Sequence, residues 1–123
     1  MEHCIGPLGV GTLIVKPKRH VVHVADLTQS EAAEMGPLLQ RTACAVTNLI
    51  GPDQVYVCLW SHAGARSVHI HWVVQPVTRA LMDELGQRGP GLQEAMFQRG
   101  EQSDRGEVEA FAARARQVLA APA

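Results

Sequence analysis

His69 and His71 stand two apart in the run Ser67-Val68-His69-Ile70-His71-Trp72-Val73-Val74-Gln75-Pro76, and no other pair in this chain is so well spaced for chemistry. If the run is a strand, Ser67, His69, His71, Val73 and Gln75 point one way and Val68, Ile70, Trp72 and Val74 the other. With the apolar set packed inward, two imidazoles within about 7 Å of each other face one site. Such a pair can act as nucleophile and orienter, can ligate a metal, or can be a half-buried structural pair. The spacing alone leaves all three open.

The elements that must position this strand are legible in outline. A first strand is expected near 3–5 and a second over 11–16, where Gly11-Thr12-Leu13-Ile14-Val15-Lys16 is rich in β-branched residues and Pro17 ends it. Thr28-Gln29-Ser30-Glu31 has the form of a capping box. It opens a helix expected over 29–48, with Ala32, Met35, Leu38, Leu39, Ala45, Val46 and Leu49 at helical spacing. Gly36-Pro37 should weaken or kink that helix, and Gly51-Pro52 should stop it. Val55 to Trp60 reads as a strand, and the tight loop 62–66 makes it the antiparallel neighbour of the histidine strand. Beyond Pro76 the pattern is helical in pieces: 78–85 capped by Thr78, a breaker over 86–91, then 92–98. A last helix starts near Ser103 or Asp104, with Val108, Phe111, Ala112, Ala115, Val118 and Leu119 on one stripe.

Composition narrows the function classes. The 123 residues suit one domain, with 76–123 as a C-terminal helical extension, and 46% hydrophobic with 19% charged residues is ordinary globular composition. Eleven Lys and Arg against 12 Asp and Glu give no basic footprint for nucleic acid. Cys4, Cys44 and Cys58 are odd in number and widely spaced, which favours free thiols in a reducing compartment. No apolar run approaches the roughly 20 residues of a membrane span. The expected location is the cytoplasm, without a membrane partner.

Leu13-Ile14-Val15-Lys16-Pro17-Lys18-Arg19-His20, then Val24-Ala25-Asp26-Leu27-Thr28 leading into a helix, then a strand and His69-Ile70-His71-Trp72, resemble the histidine-triad (HIT) family of nucleotide hydrolases and transferases. The match in order and spacing runs over about 11–76. The resemblance implies an α+β fold: an antiparallel sheet of about five strands with a long helix packed on it, plus C-terminal helices, usually paired as a homodimer. It also implies attack by the middle triad histidine on the α-phosphorus of a nucleotide, giving a nucleotidyl-histidine intermediate that water or another acceptor resolves. A neutral imidazole is a competent nucleophile near pH 7.

This chain departs from the family pattern at one triad position. In the preferred register His69 and His71 are the first and second members and Val73 replaces the third, which makes His71 the nucleophile. In the other register Ser67 replaces the first member and His69 is the nucleophile. His69 and His20 are then supporting imidazoles, while Ser61, Ser67 and Gln75 are candidate phosphate contacts. A missing transition-state donor costs on the order of 100-fold in rate. The segment before Pro17 is shorter than in the family, which implies a reduced base pocket and no structural zinc. Three readings follow from the resemblance and the histidine count: a nucleotide hydrolase or nucleotidyl transferase without metal or cofactor, a non-catalytic nucleotide sensor, and a zinc hydrolase using His69, His71 and either His62 or His20. Dimerisation has one further hint: the 29–48 helix and its end carry Leu38, Leu39, Val46, Leu49 and Ile50 on more than one stripe.

Overall fold

The computed structural model describes residues 1–4, 6–61 and 69–122. Its elements are β1 (Glu2–His3), β2 (Leu13–Val15), a 3-10 turn (Val24–Asp26), α1 (Gln29–Ile50), β3 (Gln54–Trp60), β4 (His71–Val77), α2 (Arg79–Leu85), α3 (Pro90–Arg99) and α4 (Arg105–Ala120). All strand pairs are antiparallel, in the order β1-β2-β4-β3. The class is α+β as expected, but the sheet among the described residues has four strands rather than about five.

α1 forms where its caps direct it. Thr28 Oγ1 accepts the Glu31 N–H, and Glu31 Oε2 accepts the Thr28 N–H at 2.8 Å, closing the capping box. At the other end Gly51 takes a left-handed conformation, φ 67°, and returns its N–H to the Thr47 carbonyl. The helix runs unbroken through Pro37, so Gly36-Pro37 does not end it. Pro37 is exposed, so the carbonyl it deprives of a donor, that of Ala33, faces water rather than the core.

The helix lies on one face of the sheet. Leu13, Val15, Ile70, Trp72 and Val74 meet Val46 of α1 and Phe111 and Ala115 of α4 in one buried cluster. β4 alternates about this core, as its sequence predicts. Its opposite face is not open along its length. Val73 and Val77 are buried with Leu8, Leu92 and Met96, because α3 folds back across that side. β4 therefore buries both faces in its middle, while His71 at its start and Pro76 near its end stay half-buried. The 3–5 strand shrinks to Glu2–His3, and the histidine strand begins at His71 rather than Ser67. Ser67 itself lies outside the described residues. Among the described residues no helix is long and apolar enough to cross a membrane.

Candidate active site

Three histidines gather where β4 begins and the chain leaves β2. His69 is the anchor. The Val21 N–H donates to its Nδ1 at 3.1 Å, and an accepting nitrogen carries no proton. The ring proton is therefore on Nε2, which donates to the Pro17 carbonyl at 2.8 Å. Both nitrogens of His69 are used by the backbone of the segment that follows β2. The Ile70 N–H adds a bond to the Val21 carbonyl at 2.9 Å, so this segment is tied to β4 at two points.

His20 stacks on His69, with ring centroids 5.4 Å apart and planes 19° from parallel. The neighbouring Arg19 fixes the approach to it. Its guanidinium donates to both Glu31 carboxylate oxygens at 3.0 Å and to the Asp26 carbonyl at 2.8 Å. That bidentate pair, with the Thr28 N–H, holds the Glu31 carboxyl at about 2, against an ordinary 4.5. The capping box of α1 and the placement of His20 are thus one construction.

His71 differs from His69 in what its ring offers. Its Nδ1 lies 3.2 Å from the His69 carbonyl oxygen, which can only accept. The proton therefore sits on Nδ1, and the lone pair is on Nε2. Trp60, paired with His71 across the β3–β4 ladder, stacks beside the imidazole at 6.5 Å with planes 18° from parallel. The indole is held in turn. Its Nε1–H donates to Gln93 Oε1 at 3.1 Å, Gln93 Nε2 donates to Gln75 Oε1 at 3.1 Å, and Gln75 Nε2 donates to the Leu8 carbonyl at 3.1 Å.

One concavity borders His20 and His69, and a second lies beside it, lined by none of the three histidines. A cleft of about 340 Å³ is lined by Met1, Lys16, Pro17, Lys18, His20 and His69. A larger cavity of about 390 Å³ opens between β2 and α1, with Val15, Leu27, Met35 and Trp72 in its wall and Lys16, Lys18, Arg19 and Glu34 among its polar lining.

The structure thus groups His20, His69 and His71 but separates the expected phosphate contacts from one another. Ser61 is exposed and donates to the Val22 carbonyl at 3.0 Å, which ties the end of β3 to the segment carrying His20. Gln75 is fully buried, two positions beyond Val73, with its amide committed to the network under α3. Ser67 and His62 lie outside the described residues. Among the described residues, no three or more His, Cys, Asp or Glu side chains are gathered as a metal ion would need. Sequence reasoning missed Trp60 and Gln93. Trp60 was in principle visible, as the last residue of the strand antiparallel to the histidines, but its pairing with His71 depends on the β3–β4 register, which the sequence alone does not fix.

No protein-family model and no curated protein matches the sequence. Solved structures do match. One is a Hit-like protein involved in cell-cycle regulation from Bartonella henselae, 19% identical over 94% of this chain and 76% of that one, with a TM-score of 0.67. Another is a hypothetical histidine triad nucleotide-binding protein from Sulfolobus tokodaii strain7, 18% identical over 95% of this chain and 74% of that one, with a TM-score of 0.69. This chain, an antiparallel sheet with one long helix on its face, has the fold of these histidine-triad proteins.

Proposed function

We propose that the protein is a nucleotide hydrolase or nucleotidyl transferase in which His71 attacks an α-phosphorus. The observation that supports this choice of nucleophile is the tautomer of each ring. His69 has both nitrogens bonded to backbone, whereas His71 donates through Nδ1 to the His69 carbonyl and keeps its Nε2 lone pair for attack. In the first step a bond forms between Nε2 and phosphorus while the bond to the leaving group breaks. The resulting charge on the ring is met by the His69 carbonyl at Nδ1. Water then attacks phosphorus, the N–P bond breaks, a proton passes to solvent, and the nucleoside monophosphate leaves.

Lys16, Lys18 and His20 line the adjoining cleft and suit the remaining phosphates of a nucleotide conjugate. Val73, 2% exposed, occupies the position where the family pattern has a third imidazole. Leaving groups that depart without a proton, such as phosphates, are therefore favoured over amines. The same residue motivates the second reading, a nucleotide sensor on this fold that binds without turnover. Turnover of a dinucleoside polyphosphate, lost in a folded His71→Ala protein, would support the enzyme; equal turnover by that variant would remove it.

We also place the reaction in the cytoplasm, in a homodimer. β3 is a sheet edge, and its Val57 and Leu59 are 45% and 42% exposed on the face that α1 covers elsewhere. A second copy pairing there would cover both.

A further inference from the structure

Phe97 is a large ring left 44% exposed on α3, and single exposed apolar residues are common enough to mean nothing. Its setting is what distinguishes it. Phe97 packs edge-on against Trp60, with centroids 5.4 Å apart and planes at 60°, and Trp60 stacks beside His71. The shelf is rigid at its root. Gln93, 2% exposed, holds the indole N–H, and fully buried Gln75 holds Gln93. Nothing in the packing of α3 requires a ring at this position. Leu92 and Met96 already seal the core beneath.

We infer that Phe97, backed by Trp60, is the stacking platform for the base of the nucleotide whose α-phosphate meets His71. This deepens the proposed function and rests on it for the position of the phosphate. Trp60 links the two sites, its ring centroid 5.4 Å from that of Phe97 and 6.5 Å from that of His71. A pre-set aromatic surface binds a base with little side-chain ordering. Stacking accepts any base, because every base has a π-face. The platform accordingly favours nucleotides over phosphosugars without choosing among bases. It is carried by α3, on the side of the sheet away from α1.

The test is calorimetric binding of AMP and of ribose 5-phosphate to the wild-type protein, Phe97→Leu and Phe97→Tyr. Leu keeps an apolar contact to Trp60 without a ring, and Tyr keeps the ring. The expected result is AMP binding weakened on the order of 10-fold by Phe97→Leu and retained by Phe97→Tyr, with ribose 5-phosphate unchanged in both. Equal AMP affinity in wild type and Phe97→Leu would overturn the inference, as would no preference of the wild type for AMP over ribose 5-phosphate, or no AMP binding at all. The readout is binding, so the two claims fail separately. A protein that binds AMP through Phe97 but never turns over keeps the platform and loses the enzyme. A protein that forms a His71 adduct with AMP affinity indifferent to Phe97 does the reverse.

Discussion

Replacing Gln93 with Leu should destabilise the protein far more than its position on a surface helix suggests. The side chain is 2% exposed and joins two groups, accepting from Trp60 Nε1 and donating to Gln75 Oε1. Loss of Gln93 leaves Gln75 Oε1 buried without that donor, at about 1–3 kcal/mol, while half-buried Trp60 recovers part of its bond from water, so the total is about 2–4 kcal/mol. Gln75→Leu alone strands Gln93 Nε2 at a similar cost, about 1–3 kcal/mol; the Leu8 carbonyl still accepts from Thr12 Oγ1 at 3.0 Å. In the double variant neither amide is left facing a missing partner. Its destabilisation should fall short of the sum of the two single changes by about 1–2 kcal/mol. Urea unfolding of the four proteins, followed by tryptophan fluorescence and by circular dichroism, measures the cycle. Additivity within about 0.5 kcal/mol would refute the connected network and with it the rigid seat of Trp60.

Acid should weaken the fold in two windows. Burial pushes the His3 imidazole below its ordinary 6.5, so the unfolded chain takes up the proton first and stability falls as pH drops below 6.5. The Glu31 carboxyl, held at about 2 chiefly by Arg19, contributes stability present above 4.5 and lost as pH falls toward 2; Arg19→Ala should flatten that second window in a pH series of unfolding curves. Two glycine substitutions should act in opposite directions on the melting temperature. Gly11, at φ +96°, would bring an added Cβ to 3.0 Å from Ile50 and 3.1 Å from Pro76, so Gly11→Ala should cost about 2–3 kcal/mol. Gly36, inside α1 with open space around it, should gain about 0.5–1 kcal/mol as Ala. For the proposed dimer, Leu59→Lys places a charge on the exposed edge strand, and light scattering should report a folded monomer; an unchanged dimer would move the interface elsewhere.

The parts that could be read from the sequence were those fixed by neighbours in the chain. Thr28 and Glu31 define a helix start within four residues, and the alternation of Ile70, Trp72 and Val74 marks a core face without knowledge of its partner. The parts hidden were set by distant segments. Gln75 shares the parity of His71, yet it is buried because α3 returns over that face, and nothing local to β4 signals that return. The roles of His69 and His71 separate only through the carbonyls of Pro17 and His69 and the Val21 N–H, backbone atoms that no residue type encodes. Pro37 is the converse case, a strong local breaker that lies on the exposed side of α1 without ending the helix.

The claim on which this account turns is that His71 Nε2 carries the nucleotidyl group. Intact-protein mass spectrometry after brief incubation with adenosine phosphoramidate and with a dinucleoside polyphosphate, followed by mapping of the acid-labile adduct, tests it directly. The predicted result is one adenylyl group on His71, absent in His71→Ala, with the larger yield from the polyphosphate. An adduct on His69 would contradict the tautomer argument, and the absence of any adduct and any turnover would leave a nucleotide-binding protein in place of the enzyme.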